Sequence, residues 1–182
     1  MSLLNVEDTI ILIIDVQEKL LNAVFNKETL LQKAEIFSKA TQILNLPVIV
    51  TEQYPKGLGN TVFEVKNNLP KNTIYFEKTG FNALLDENLV SELENKKYKN
   101  VVIFGIETHI CVFQTIDALL EKGYNVSVVA DCSGSRNEIE HMQALNLFSN
   151  KGVSIKTTEM ILFEFLKSSK HPCFKEIQTL IK

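Results

Sequence analysis

Dense runs of basic residues are absent from this sequence. Lysine and arginine together number 19 against 22 acidic residues, and the formal net charge is -3. A protein that follows a phosphate backbone needs clustered positive charge to displace the counterions of the nucleic acid. The sequence therefore predicts no nucleic-acid partner.

The sequence also shows no pattern typical of a secretion leader or of a membrane-spanning run. The opening residues, MSLLNVEDTI, have no basic segment before the apolar stretch, and the longest apolar stretch, residues 10–14, is ended by Asp15. A signal peptide needs a basic start, and a transmembrane helix needs about 20 consecutive apolar residues. We therefore predict a cytoplasmic protein without membrane contact.

Cysteine is scarce, with Cys111, Cys132 and Cys173 as the three copies, and no two of them form a CxxC pair. Their odd number and wide spacing argue against a disulfide framework and suit a reducing compartment. Cys132 opens a Ser/Gly-rich loop and Cys173 lies near a terminal helix, so both are predicted to have packing or supporting roles.

Patterns that hold a metal or a cofactor are lacking as well. The three histidines, His109, His141 and His171, form no HxH or HExxH pattern, so no metal is predicted. Gly57 and Gly59 do not belong to a G-x-G-x-x-G loop that opens a helix after a strand, so no dinucleotide cofactor is predicted.

Short β-branched apolar runs alternate along the chain with amphipathic segments. The strand candidates are residues 9–15, 47–52, 73–78, 101–105, 126–132 and 153–157, and the helix candidates are residues 29–44, 86–96, 108–122, 137–150, 158–166 and 172–180. Continuously apolar strands suit a parallel sheet that is buried on both faces. The pattern predicts one domain, residues 1–182, with an α/β, three-layer, doubly wound fold: a mostly parallel six-stranded sheet between two helical layers.

One segment breaks the alternation. Residues 53–69 contain no strong strand or helix pattern, and they begin with a loop rich in turn residues. A stretch of this length in a compact domain is commonly a lid or a binding loop. We predict that role here.

Ligands of doubly wound folds bind beyond the carboxyl ends of the strands. That rule selects Asp15 after the first strand, Glu52 and Gln53 after the second, Lys78 after the third, and the loop GIETHIC after the fourth. A carboxylate ending a buried strand needs water, backbone donors or a cation. Asp15 and Lys78 therefore form either a structural ion pair or part of a site.

Cys111 follows a buried strand and a short turn, with Thr108 as the predicted N-cap of the next helix. A thiol in the first turn of a helix, near Lys78, is predicted to favour thiolate and to be nucleophilic near neutral pH. The alternative is a small buried apolar side chain. A base role for His109 is the weaker option, because residues two apart on a helix point to different sides.

Three segments, ILIIDVQ with Asp15, FEKTGFNA with Lys78 and VVIFGIETHICVFQT with Cys111, together resemble the isochorismatase-like cysteine hydrolases. This superfamily includes nicotinamidases and N-carbamoylsarcosine amidohydrolases. The segment TEQYPKGLGNT further resembles the isochorismatase-domain-containing branch. The resemblance implies a triad in which Asp15 accepts the thiol proton, Lys78 stabilises the ionised pair and Cys111 attacks an electrophilic carbon.

The resemblance also implies a cis peptide between Ile106 and Glu107, which turns the backbone amides of Glu107 and Cys111 toward an oxyanion. Nicotinamidases carry a metal site after the second strand, where this chain lacks a histidine, so the resemblance supports neither a metal nor nicotinamide as substrate. Family members commonly form homo-oligomers. The candidate substrate-binding residues are Gln17, Phe25, Glu52, Gln53, Tyr54, Phe81 and Thr108.

The resulting hypothesis is a hydrolase that cleaves a small amide, imide or related C–N substrate through a thioester of Cys111. Two alternatives stay open. One is a catalytically silent protein that works through its surface. The other is a thiol redox sensor, with Cys132 as a resolving cysteine near in space.

Overall fold

A parallel six-stranded sheet forms the centre of the computed structural model, which describes residues 3–96 and 98–182. The strands are β1 (Thr9–Ile14), β2 (Val48–Gln53), β3 (Ile74–Lys78), β4 (Asn100–Gly105), β5 (Asn125–Val129) and β6 (Ser154–Lys156). They lie in the order β3-β2-β1-β4-β5-β6, and each neighbouring pair runs parallel. The predicted doubly wound α/β sheet is confirmed.

Helices connect the strands and cover the sheet. They are α1 (Glu18–Leu21), α2 (Lys27–Ile43), α3 (Pro55–Leu58), α4 (Phe63–Lys66), α5 (Glu87–Asn95), α6 (Phe113–Glu121), α7 (Glu138–Asn150), α8 (Thr158–Leu166) and α9 (Phe174–Ile181). Side chains cap three of them: Asp86, Asn137 and Thr157 accept hydrogen bonds from amides in the first turns of α5, α7 and α8. Within the described ranges, no helix combines the length and hydropathy of a membrane span.

The two faces of β1 show why its residues are continuously apolar. Ile11 and Ile13 pack into a core with Phe37 and with other residues of α2, α8 and α9. Leu12 and Ile14 pack into a second core with residues of α5, α6 and α7. Because both faces of β1 are covered, its residues do not alternate between polar and apolar.

The segment predicted as an extended loop, residues 53–69, contains instead the two short helices α3 and α4. Between them, Thr61 forms an antiparallel bridge with Gln17. The buried carboxylate of Glu52 accepts hydrogen bonds from both the amide and the hydroxyl of Thr61, each at 2.7 Å. These contacts hold the segment against the sheet edge, which a pattern of local propensities does not reveal.

The strand register brings the predicted site residues to one edge. Gln53 of β2 pairs with Lys78 of β3, while Ile14 of β1 pairs with Thr51 on one side and with Gly105 on the other. The carboxyl ends of four neighbouring strands therefore meet at the same edge, where a doubly wound sheet binds its ligands.

Candidate active site

Asp15 follows the last residue of β1, and its carboxylate is fully buried. Its backbone has a φ of 51°, a left-handed conformation that few residues other than glycine adopt. The Nζ of Lys78 donates to Asp15 Oδ2 at 2.6 Å, and the hydroxyl of Thr51 donates to Asp15 Oδ1 at 2.7 Å. The predicted ion pair is present, and both carboxylate oxygens have a donor.

The Lys78 ammonium is also surrounded by acceptors. Besides Asp15, it donates to the side-chain oxygen of Gln53 at 2.6 Å and to the carbonyl of Gly80 at 3.2 Å. An ammonium group carries three hydrogens, so these three contacts use all of them. Lys78 therefore acts on nearby groups through its charge.

Cys111 lies in a π-helical turn, Thr108–Val112, that leads into α6. The amide of Val112 donates to the carbonyl of Glu107, five residues back, at 3.2 Å. Single π-helical turns are frequent at functional sites. The Cys111 side chain is buried, packs in the core beneath α5, α6 and α7, and lies close enough to Asp15 and Lys78 for both charges to act on its pKa.

Burial raises the pKa of the Cys111 thiol from its ordinary value of 9.0 to about 12. The charge of Asp15 and its hydrogen bond to the thiol act in the same direction, while the charge of Lys78 and a backbone hydrogen bond from Glu107 lower the pKa. The prediction of a resting thiolate is wrong. Desolvation and the charge of Asp15 outweigh the ammonium and the backbone hydrogen bond, so the resting group is a thiol.

The loop before the nucleophile is fixed by the loop that follows β5. The peptide between Ile106 and Glu107 is cis. The amide of Thr108 donates to the carbonyl of Gly134, and its hydroxyl bonds to Nδ1 of buried His141 at 2.9 Å. Thr108 is therefore not the N-cap that the sequence predicts. Glu107 occupies the cap position, and the threonine hydroxyl has a buried histidine as partner.

The contacts of His109 argue against a role as the catalytic base. Its Nδ1 bonds to the hydroxyl of Ser135 at 2.9 Å, and its Nε2 lies 3.3 Å from a carboxylate oxygen of Glu140. Both ring nitrogens thus serve contacts that tie the π-helical turn to the Ser135 loop and to α7. Asp15 remains the base candidate in contact with the Cys111 thiol.

The buried polar residues among the substrate-binding candidates have partners within the protein. The Gln17 amide nitrogen donates to the carbonyls of Gln53 and Gly59, and its oxygen accepts the amide of Gln53. Glu52 binds the amide and hydroxyl of Thr61. The structure therefore gives Gln17 and Glu52 roles in holding the segment after β2.

Three aromatic candidates are open to solvent. Phe25 is 45% exposed, Tyr54 56% and Phe81 52%. The ring of Phe25 contacts His141 with centroids 5.8 Å apart. Because these three rings are exposed, a substrate could contact them. They remain candidates for substrate binding.

Sequence reasoning missed three contacts at this edge. Thr51 donates to Asp15, His141 binds Thr108, and Arg136 donates from Nε to a Glu107 carboxylate oxygen at 2.8 Å. Thr51 stands two residues before Gln53 in a strand, so the strand-end rule could have included it. The other two contacts join segments about thirty residues apart, and no local pattern signals them.

The other cysteines lie away from the nucleophile. Cys132 is fully buried in the core on the opposite face of the sheet from Cys111, with its sulfur 3.1 Å from the Thr158 hydroxyl. Burial raises its pKa well above the ordinary value. Cys173 contacts the carbonyl of Ile43. The opposite faces leave no support for Cys132 as the resolving partner of a redox sensor.

Among the described residues, no group of three or more histidine, cysteine, aspartate or glutamate side chains is arranged to hold a metal ion.

Replacing Thr51 with valine tests whether the carboxylate depends on its hydroxyl donor. We expect Thr51→Val to lower the free energy of unfolding by about 1–3 kcal/mol, because it leaves Asp15 Oδ1 buried without that donor. Thr9→Val is the matched control, since the Thr9 hydroxyl is buried and has no hydrogen-bond partner among the described residues. Denaturant unfolding should show the control to be neutral or slightly stabilising; equal losses in both variants would contradict the role of Thr51.

Similar sequences and folds are found among known proteins. A family model described as the isochorismatase domain matches residues 9–160. The match includes the whole sheet together with Asp15, Lys78 and Cys111. The chain belongs to the isochorismatase family. The predicted family and fold are therefore confirmed.

This isochorismatase-family chain is 38% identical over 174 residues to isochorismatase domain-containing protein 1 of Salmo salar, which covers 96% of the chain and 61% of the relative. The chain thus spans about three fifths of that relative's length. MAR1 ribonuclease of Caenorhabditis elegans has a TM-score of 0.93 at 37% identity, covering 99% of this chain and 92% of that one. The Escherichia coli YcaC gene product, described as an octameric hydrolase of unknown specificity, has a TM-score of 0.93 at 26% identity, covering 100% and 90%.

Proposed function

We propose that this isochorismatase-family protein is a cysteine-dependent hydrolase of a small amide, imide or related C–N substrate. One observation carries the proposal: a buried thiol lies within electrostatic reach of a buried carboxylate that is paired with an ammonium group. A nucleophile, an adjacent base and a group that orients the base are the arrangement of covalent catalysis. The hydrolase described for YcaC supports the general class.

In the first half of the reaction, Asp15 takes the proton of Cys111 as the sulfur attacks the acyl carbon. The transfer converts a thiol and a carboxylate into a thiolate and a carboxylic acid, so the net charge beside Lys78 is unchanged. Asp15 then gives the proton to the departing nitrogen as the C–N bond breaks. The products are an amine or ammonia and a thioester on Cys111.

In the second half, Asp15 takes a proton from water as the water oxygen attacks the thioester carbon. The C–S bond breaks, the acid leaves, and the proton returns from Asp15 to the sulfur. Lys78 keeps its three contacts, with Asp15, Gln53 and Gly80, throughout. We assign the amides of Glu107 and Cys111 to the oxyanion of both tetrahedral intermediates, where such donors contribute most.

The exposed aromatic residues Phe25, Tyr54 and Phe81 are proposed to contact the non-reacting part of the substrate. Aromatic faces suit a small, partly planar molecule. The protein is also proposed to form a homo-oligomer. The octameric state described for YcaC supports this, as do the exposed apolar side chains of Ile139 and Leu147 on α7.

A substrate screen with a matched inactive variant tests the proposed function. Amides, ureas and imides are incubated with wild-type protein and with Cys111→Ala, and release of ammonia or amine is measured. We expect at least one compound to be hydrolysed by wild type and the rate to fall by about 10³-fold or more in the variant, as for loss of a covalent nucleophile. Turnover that survives in Cys111→Ala would overturn the role of the thiol.

Ribonuclease activity is a second candidate, favoured by the description of the C. elegans neighbour. Single-stranded RNA belongs in the same screen for that reason. RNA cleavage that persists in Cys111→Ala while amides stay intact would favour this candidate. The net charge of -3 and the lack of basic runs favour the small-molecule proposal.

A further inference from the structure

The Lys78 amine has three acceptors of different kinds. Asp15 supplies a charged carboxylate oxygen, Gly80 a backbone carbonyl at the longest distance, and Gln53 a neutral side-chain oxygen at 2.6 Å. The Lys78 side chain is 5% exposed, so water is a poor replacement for any of the three. Gln53 thus provides one of the two short contacts that set where the ammonium lies.

Gln53 is itself fixed from both sides. Its side-chain nitrogen donates to the carbonyl of Thr79 at 2.7 Å, so the amide cannot turn without losing two bonds. Its backbone amide and carbonyl both bond to the side chain of Gln17, at 2.7 Å and 3.0 Å. Gln17 is fully buried and also holds Gly59 of the segment after β2 at 2.6 Å.

Register adds a third constraint, because Gln53 and Lys78 are directly paired on neighbouring strands β2 and β3. The two side chains therefore start from adjacent backbone positions at the sheet edge. A chain of hydrogen bonds consequently runs from the segment after β2, through Gln17 and Gln53, to the ammonium beside Asp15.

We infer that Gln53 is a positioning residue for Lys78, and that Gln17 holds Gln53 in place for that task. This inference rests on the triad proposed above and changes the expected role of both glutamines from substrate binding to support. With the Gln53 oxygen removed, the ammonium keeps two acceptors and moves to satisfy its third hydrogen. The positive charge of Lys78 is then less well placed to stabilise the thiolate that forms when Cys111 gives its proton to Asp15.

Alkylation of Cys111 by iodoacetamide measures this effect without a known substrate. The sulfur displaces iodide and forms an S–C bond, and the thiol proton passes to Asp15 and then to solvent. Peptide mass spectrometry follows Cys111 alone, with Cys173 in the same protein as an internal reference. We expect Gln53→Met and Gln53→Ala to slow alkylation of Cys111 by about 10- to 100-fold at neutral pH, the size of effect that small misplacements of a reacting group produce.

Two further variants separate positioning from a general loss of stability. Gln53→Asn keeps the amide but is one methylene shorter, so its oxygen no longer reaches Lys78 and alkylation of Cys111 should slow by about tenfold or more, the factor that marks a lost contact of about 1.4 kcal/mol. Gln42→Met is the matched control, because the Gln42 side chain also donates to a backbone carbonyl, that of Leu69 at 2.7 Å, far from the site. It should alkylate at the wild-type rate even where its melting temperature falls.

Wild-type alkylation in both Gln53→Met and Gln53→Ala would overturn the inference, as would a Gln53→Asn variant that alkylates at the wild-type rate. These outcomes leave the proposed function standing if turnover still depends on Cys111. Conversely, turnover that is indifferent to Cys111 removes the proposed function while the alkylation comparison still reports on Gln53.

Discussion

Asp15→Asn should make the Cys111 thiol more acidic and yet remove hydrolysis. The charge of Asp15 and its hydrogen bond both raise the pKa of the thiol, which stands at about 12 with burial as the first cause. Without them the pKa falls, and at a pH well below the pKa the thiolate fraction rises by about tenfold for each unit by which the pKa falls. Turnover falls by about 10²–10⁴-fold, because asparagine can neither take nor return the proton.

Two measurements on the same protein check these opposite changes. Ultraviolet absorbance of the thiolate, corrected with Cys111→Ala, gives the pKa of Cys111, and ammonia or amine release gives turnover. A nucleophile that depended only on its own acidity would become more active in Asp15→Asn. Unchanged turnover, or a pKa that does not fall, would contradict the division of roles between Asp15 and Cys111.

Asp15→Asn also leaves a buried ammonium without its carboxylate, which costs about 3–5 kcal/mol. The double variant Asp15→Asn/Lys78→Met removes both charges and keeps the site neutral. We expect it to unfold at a higher denaturant concentration than Asp15→Asn and to remain inactive. Comparison of the two therefore separates the loss of the base from the loss of stability.

The fold was largely readable from the sequence because its strands are buried on both faces. A run such as residues 10–14 has no polar alternation, and a parallel sheet between two helical layers is the ordinary arrangement that buries it. The strand-end rule then places their carboxyl ends at one edge of the sheet. Asp15, Gln53 and Lys78 were therefore predictable as neighbours, since each stands at the carboxyl end of its strand.

The pKa of Cys111 could not be predicted from the sequence. The helix start and the Lys78 ammonium are visible in the sequence, but the burial of the thiol is not. Local sequence shows that a thiol begins a helix; it does not show that the thiol is 6% exposed or that it faces a carboxylate. In this site, desolvation and Asp15 outweigh the positive groups. The sulfur therefore keeps its proton at rest, and we propose that Asp15 removes it during the reaction.

The roles of the polar candidates were hidden for a related reason. Their positions at the strand ends place Gln17 and Gln53 near the site. Position alone does not show whether a side-chain amide contacts a substrate or a backbone group. Gln17 binds the carbonyl of Gly59 and Gln53 binds the carbonyl of Thr79, and in each pair the two residues are far apart in sequence. Only the folded chain assigns them to the support of Lys78.

Gly105→Ala should be the most damaging alanine substitution among the glycines of this protein. Gly105 ends β4 with a φ of 138°, a region that L side chains rarely adopt. A Cβ there would overlap the carbonyl of Ile14, which is fixed because it accepts the amide of Ile106 at 2.9 Å. We expect a loss of more than about 4 kcal/mol in the free energy of unfolding, since backbone must move against backbone.

Gly152→Ala is the control that separates the steric clash of an added Cβ from the cost of placing alanine at a positive φ. Gly152 has a φ of 84°, also positive, but an added Cβ would meet no atom within 4 Å. Its substitution should therefore cost only the left-handed conformation, about 1–2 kcal/mol. Denaturant unfolding of both variants gives the comparison, and equal losses would mean that β4 can shift away from β1. Because the loop from Ile106 to Cys111 starts at this contact, any Gly105→Ala protein that does fold should also alkylate Cys111 more slowly than Gly152→Ala.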